Sequence, residues 1–286
     1  MDIYASALLY EIAFDFRDVP AECDFLLQMY EAHGPGGRPK AFLELGCGPG
    51  FHVVEMGARE IPSTGLDLSM AMIARLQSIA SERKVSVSSA VGDMRSFDLG
   101  DRFSLAATLM DTASHLLSNQ DILDHLDRVA DHLHPQGIYV IELAHPANHF
   151  RVRQTARTQW TSERYGWNVA ASWGTPDDPF DPITEVESVS VTLTGKSPEG
   201  RTEIHQAEVP VRRLTHLCLE ALIALNGRFE VVDWFGSMSA TVPFDNSREA
   251  WRMVSVLRRR ESRHLPEDFL TRRLKSGADE RSGHGV

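Results

Sequence analysis

The sequence predicts a doubly wound, mostly parallel α/β sheet interrupted by an antiparallel β insertion. Three observations carry that prediction. From Pro39, short apolar runs alternate with amphipathic stretches of helical period. A glycine-rich turn joins the first run to the first helical stretch. After Pro146 the pattern drifts towards period two, and the α/β rhythm returns near Leu214.

Each element has its own signal. Residues 41–45 (AFLEL) read as a short strand ending in glycines, followed by a helix over 52–59. Residues 61–66 make the second strand, and 68–83 the second helix, with Met70, Ile73, Leu76 and Ile79 on one face. Strands are expected at 85–91 and 103–109. A helix over 120–133 carries Ile122, Leu126 and Val129 in register, with Gly137 closing that region and 138–143 (IYVIEL) forming a fully buried fifth strand. Residues 159–173, 183–194 and 202–211 lean towards alternation, with polar and Gly/Pro breaks between them. A helix over 214–225, stopped at Asn226-Gly227, leads to a strand at 229–235 and a last strand at 251–257 expected beside it. This divides the chain into an N-terminal helical segment (1–38), a core (39–150), the insertion (151–212), the rest of the core sheet (213–262) and a tail (263–286) that turns small and polar from Ser276.

Bulk properties narrow the class of function. With 286 residues, 42% of them hydrophobic, the chain suffices for one large α/β domain with an insertion or two small domains. A net charge of −11 disfavours a nucleic-acid partner, because phosphate backbones reward clustered Lys and Arg, and the one basic run, Arg258 to Arg260, is followed at once by Glu261. Cys23, Cys47 and Cys218 are few, odd in number and far apart, which points to a reducing compartment and proposes no zinc site. The start of the chain lacks a signal-peptide pattern, and no run approaches the roughly 20 apolar residues of a membrane span. A soluble cytoplasmic protein is expected.

The chemistry concentrates at strand ends. In Glu44-Leu45-Gly46-Cys47-Gly48-Pro49-Gly50, the missing side chains let the backbone bend and approach a ligand, with the next helix's N-terminus facing it. Dinucleotide enzymes place a glycine or alanine where Phe51 stands, and their pyrophosphate would meet Glu44, which suits an ammonium group instead. Asp67 in Gly65-Leu66-Asp67-Leu68-Ser69 can accept both hydroxyls of an adenosine ribose, a feature shared with NAD sites. Asp93 in Gly92-Asp93-Met94 can accept from an adenine amino group, with Met94 covering the ring.

Together these segments resemble the S-adenosylmethionine (SAM) binding core of class I methyltransferases over residues 40–145. ELGCGPG looks like motif I, GLDLS carries the acidic end of motif II, and GDM looks like motif III. Leu109-Met110-Asp111-Thr112-Ala113-Ser114-His115-Leu116 resembles the motif IV region, and HLHPQGIYVIEL resembles the entry to the fifth strand, with Gln136 in place of a glycine. The resemblance implies a Rossmann-like, seven-stranded sheet, SAM as cofactor with S-adenosylhomocysteine as product, and a small-molecule acceptor. It extends to N-methyltransferases of amino sugars or glycine, whose antiparallel insertion and N-terminal segment close over the acceptor.

On that resemblance the cofactor-binding set is Tyr10, Arg17, Glu44, Gly46, Cys47, Gly48, Gly50, Asp67, Leu68, Met72, Gly92, Asp93, Met94, Leu109 and Met110. Arg17 is the candidate for an ion pair with the cofactor's carboxylate, and Tyr4 or Tyr10 for a lid; the alternative is a helix that simply caps the sheet. Methyl transfer asks the protein chiefly for orientation and exclusion of water, with a general base only when the acceptor arrives protonated. His115 and Asp111 are the catalytic candidates, ahead of His145 and His149. Pro146 argues against a His145–His149 metal pair. His115 has an alternative as a ring bonded into a helix start. Trp160, Trp167, Trp173 and Tyr165 are candidates for an acceptor wall or for ordinary core. Arg212 and Arg213 are candidates for contacting an acidic acceptor or for surface salt bridges. Three functions stay in view: a methyltransferase acting on nitrogen ahead of oxygen, an NAD-linked oxidoreductase, and a catalytically silent SAM-fold partner protein. Homo-oligomers fit all three.

Overall fold

Two helices precede the first strand of the computed structural model, which describes residues 3–149 and 158–263. The start of the expected insertion, 151–157, and the expected tail from residue 264 lie outside the described residues. α1 (Ala7–Ala13) is short, and α2 (Val19–His33) starts where the Asp18 side chain accepts from the Ala21 N–H, with Pro20 in its first turn. β1 (Phe42–Leu45), α3 (Phe51–Ala58), β2 (Ser63–Asp67), α4 (Met70–Arg83), β3 (Ser88–Val91) and β4 (Phe103–Thr108) then alternate. α5 (Asn119–His132), opened by a Ser118/Asp121 capping box, leads into β5 (Leu133–Ala144) and a single turn, α6 (Pro146–His149).

The insertion contains β6 (Gln159–Arg164), β7 (Trp167–Trp173), β8 (Phe180–Asp181), β9 (Val186–Lys196) and β10 (Thr202–Arg212). α7 (His216–Asn226), β11 (Phe229–Phe235) and β12 (Arg252–Arg259) complete the described chain. The main sheet has seven strands in the order β11-β12-β5-β4-β1-β2-β3. β12 alone runs against its neighbours, so its first residue, Arg252, arrives at the end of the sheet where the parallel strands finish. One core packs Leu43, Leu45, Tyr139 and Ile141 against Leu126 and Leu222 of α5 and α7. The other packs Phe42, Leu105 and Val140 against Phe25, Val53 and Leu76 of α2, α3 and α4.

Three elements differ from the sequence expectation. The strand expected at 85–91 is β3 alone, because Val85 and Val87 pack against Val54, Ile79 and Ala80 before pairing begins. β5 begins at Leu133 rather than after Gly137; Phe103 pairs with Leu133 and Leu105 with Ile138, so the intervening residues bulge, with Gln136 at φ 63°. The expected stretch 159–173 folds back on itself as the β6–β7 hairpin. Its two turn residues, Tyr165 and Gly166, have φ of 53° and 74°, the left-handed pair that matches strand twist.

The insertion strands form a second, antiparallel sheet in the order β10-β9-β7-β6, with β8 on β9. One face receives α1, with Leu9, Ile12 and Phe14 against Val169, Ala171 and Leu193. Ile3, in a 3-10 turn (Ile3–Ala5), packs on Val189, Val191 and Val209. α1 therefore lies between the insertion sheet and the tips of the main sheet.

Candidate active site

Strand order reverses between β1 and β4, since the chain runs outward through β2 and β3 before returning to β4. Ligands of such sheets sit in the crevice beyond those two strand ends. The turn after β1 lies there. A Cβ on Gly46 would run into Thr112 Cγ2, so this glycine lets the turn pack on the segment after β4. Gly48, at φ 54°, faces space bounded by Tyr10, whose Cε1 lies 3.8 Å from where a Cβ would stand. Gly50, in the left-handed region, caps α3. Asp67 fastens this turn to the next strand: Oδ2 accepts from the Gly48 N–H at 2.8 Å and Oδ1 from the Ser69 N–H at 2.8 Å. Burial still raises its pKa, against those two bonds.

Glu44 is buried beneath the turn. Its Oε1 meets His52 Nδ1 at 2.9 Å, while its Oε2 has no hydrogen-bond partner. His52 Nε2 meets Glu22 Oε2 at 2.8 Å. Burial opposes a charge on His52, yet Glu44 and Glu22 outweigh it and lift its pKa to about 9. Arg17 continues the chain of charges: Nε donates to both oxygens of Glu22 at 2.9 Å and Nη2 to Glu142 Oε2 at 3.2 Å. Arg252 closes it on Glu142 Oε1 at 2.7 Å. Burial alone would raise the Glu142 pKa, but Arg17 and Arg252 bring it down to about 2. The expected pairing of Arg17 with a ligand carboxylate thus meets a guanidinium already engaged by two carboxylates of the chain, with only 6% of its side chain exposed.

Beyond β4, Leu109 is buried, and Met110 and Asp111 both take left-handed backbone, at φ 59° and 63°. Two consecutive non-glycine residues hold that conformation only when their surroundings impose it. Here Glu142 Oε2 accepts from the Met110 N–H at 2.8 Å and the Glu142 carbonyl from the Asp111 N–H at 3.2 Å. Asp111 Oδ1 in turn accepts from the Ala144 N–H at 2.8 Å. His115 ends the 3-10 turn that follows, its Nε2 3.1 Å from the Tyr4 hydroxyl. Burial lowers its pKa, while Asp111 and a hydrogen bond to the Pro210 backbone act in the other direction.

The remaining candidates scatter. Gly92 joins the site by donating its N–H to the Asp67 carbonyl at 2.9 Å. Asp93 is engaged by Arg95, 2.6 Å away, so an adenine amino group would compete with a guanidinium. The Met94 side chain packs on the core, and its carbonyl meets His125 Nδ1 at 2.9 Å. Leu68 is 72% exposed, Met72 is buried, and the Cys47 thiol turns inward against Gly65. Trp160, Trp167 and Trp173 pack against α1, and the Trp160 indole N–H donates to the Ala13 carbonyl, so this wall holds the N-terminal helix. Tyr165 donates to Glu11. Arg212 pairs with Glu185, and Arg213 with Glu187 and, at 3.7 Å, Asp111. His145 braces a turn through Ala147 and Asp245, and burial holds the His149 pKa at about 4. Among the described residues, no group of three His, Cys, Asp or Glu is placed to hold a metal.

Sequence reasoning overlooked Glu142, Glu22 and His52. Glu142 carried a legible signal, since a single carboxylate inside IYVIEL requires a buried partner. His52 stood at a helix start eight residues after Glu44, with nothing local to reveal Glu22 on the other side.

Comparison with known proteins gives a consistent picture. Residues 42–137 match the family model described as a methyltransferase domain. An N,N-dimethyltransferase of dTDP-4-amino-2,3,4,6-tetradeoxy-D-glucose from Saccharopolyspora spinosa is 33% identical over 126 residues, 44% of this chain and 48% of that protein. A dTDP-3-amino-3,6-dideoxy-alpha-D-glucopyranose N,N-dimethyltransferase from Streptomyces fradiae is 31% identical over 126 residues, 44% and 47% of the two chains. The chain thus spans about half the length of the curated relatives it matches. Among solved structures, a SAM-dependent methyltransferase from Clostridium acetobutylicum superposes with a TM-score of 0.71 at 13% identity, covering 88% of this chain and 96% of the other. The SAM-bound amino pentose methyltransferase CalS10 from Micromonospora echinaspora gives 0.65 at 22% identity, covering 87% and 96%. Residues 42–137 match a methyltransferase domain, and the described chain has the α/β fold of these solved methyltransferases, a seven-stranded sheet with a second, antiparallel sheet.

Proposed function

We propose that this protein is a SAM-dependent methyltransferase that methylates the nitrogen of a small acceptor, and that the acceptor is an amino sugar. The observation that carries the cofactor assignment is Glu44 Oε2, a buried carboxylate oxygen without a partner beneath the turn after β1. Such an oxygen calls for a cation, and the ammonium of an aminoacyl nucleoside supplies one. Gly48 in the turn that follows leaves its Cβ position open up to Tyr10, and Asp67 stands at the next strand end to accept from ribose hydroxyls. A pyrophosphate would be repelled by the same carboxylate, which counts against an NAD-linked oxidoreductase, and Phe51 stands where a dinucleotide site has a small residue. The names of the curated relatives support nitrogen and an amino sugar as the acceptor class.

When bound, SAM brings a methyl group on a sulfonium that leaves readily, so the chain supplies position, dryness and a place for the proton. Tyr10 and the 3-10 turn Ile3–Ala5 cover the crevice; Ser69 Oγ donates to the Tyr4 carbonyl at 3.3 Å. His115, with its pKa lowered by burial, is neutral near pH 7 and takes the acceptor's proton on Nε2, where the Tyr4 hydroxyl now sits. Asp111 keeps the backbone after β4 in place and offers a negative charge to a cationic acceptor. In this reading residues 1–38 are the lid, 39–150 and 213–262 hold the cofactor, and 151–212 face the acceptor. The setting is the cytoplasm, with a small molecule rather than nucleic acid as partner; among the described residues no helix is long and apolar enough to cross a membrane.

Calorimetry with SAM and NAD tests the cofactor: SAM binds and NAD does not, and the reverse would overturn the assignment. Mass spectrometry across free and nucleotide-linked amino sugars tests the rest. A gain of one or two methyl groups supports an enzyme, whereas cofactor binding without any methylated product would favour a silent partner protein.

A further inference from the structure

We propose that His52 is a positioning residue for the amino end of the cofactor: clamped as an imidazolium between Glu22 and Glu44, it fixes Glu44 so that Oε2 is left to the ligand's ammonium. The proposal rests on the cofactor assignment above and adds to it a residue that touches no ligand. Both ring nitrogens of His52 lie within hydrogen-bond distance of a carboxylate, at 2.8 and 2.9 Å. An ionised carboxylate only accepts, so both nitrogens donate and the ring carries a charge. The imidazolium then does two things. It sets a positive charge against Glu44 in a site only 4% exposed, where a carboxylate buried without a partner is costly. It also claims Oε1, which sets the rotation of the carboxylate and leaves Oε2 as the unmatched acceptor.

His52 is itself held from behind. Glu22 accepts from its Nε2, and both oxygens of Glu22 are fixed by Arg17 Nε. Glu22 comes from α2, His52 from α3 and Glu44 from β1, so three elements meet at the His52 ring. A solvated surface ion pair would have no such consequence. This one is buried, and it ends on an oxygen without a partner near the end of β1, just before the glycine turn.

The experiment compares two ligands that differ in the amino acid end. Binding of S-adenosylhomocysteine, which has the ammonium, and 5′-methylthioadenosine, which lacks it, is measured calorimetrically for the wild type, His52→Leu and His52→Gln. In His52→Leu, S-adenosylhomocysteine is expected to bind about ten- to a hundredfold more weakly, the worth of a charge-assisted hydrogen bond, with methylthioadenosine nearly unchanged. His52→Gln, which retains one donor, is expected to recover part of that loss. Equal weakening of both ligands would overturn the proposal and leave His52 as a packing residue. Should His52→Leu not fold, nitrogen-15 NMR of histidine-labelled wild type still decides: two protonated ring nitrogens on His52 at pH 7 support the clamp, and one bare nitrogen overturns it. A wild type that binds neither ligand would instead sink the cofactor assignment, and the clamp with it.

Discussion

The two sheets of this molecule bury their strands differently. Every residue of β1 and β4 is buried, so packing dictates both faces and leaves the strand tips free to vary in chemistry. In β6 exposed and half-buried residues alternate, because one face meets α1 and the other meets solvent. The contrast explains why cofactor recognition can be read as a string of short motifs, each at a fixed place after an apolar run. Acceptor recognition has no such anchor. As proposed above, it would fall to side chains of the insertion and its flanks, where half-buried and exposed positions impose less on residue type.

Four substitutions test that contrast. Leu45→Ala, in the fully buried β1, is expected to cost about 2–5 kcal/mol of stability by urea unfolding; a loss below 1 kcal/mol would mean the main sheet is packed as loosely as the insertion. His115→Ala is expected to lower turnover about a hundredfold with little change in SAM affinity. A neutral ring is the active form, so the wild-type rate rises with pH through a value below histidine's ordinary 6.5 and is flat above it; the variant loses that rise. Equal losses of turnover and affinity would make His115 structural. Asp67→Ala is expected to weaken S-adenosylhomocysteine binding by about 1–3 kcal/mol, and an unchanged dissociation constant would remove Asp67 from the ribose site. Thr161→Ala, on the open face of the insertion sheet, is expected to shift stability by no more than about 0.5 kcal/mol.

The alternating elements, the glycine turn and the acidic tips were legible because each is a local pattern. Asp67 announces itself at the end of an apolar run, and Gly46 and Gly48 by their spacing. What stayed hidden depends on distance along the chain. His52 finds Glu22 thirty residues back, and Arg17 finds Glu142 125 residues ahead, so Arg17 read as a ligand contact when its partners are internal. The three tryptophans of the insertion were ambiguous for the same reason. Their indoles face α1, and nothing within 159–173 reveals that a helix from the start of the chain lies there.

The bond from the Trp160 indole to the Ala13 carbonyl gives the molecule a built-in optical gauge. Trp160 and Trp173 emit from an environment made by Phe14 and Tyr10, on the same helix that borders the glycine turn. Were that helix to lift, those indoles would meet water and their emission would move to longer wavelength. Unlabelled protein in a stopped-flow cell would therefore report such a movement separately from any chemistry inside.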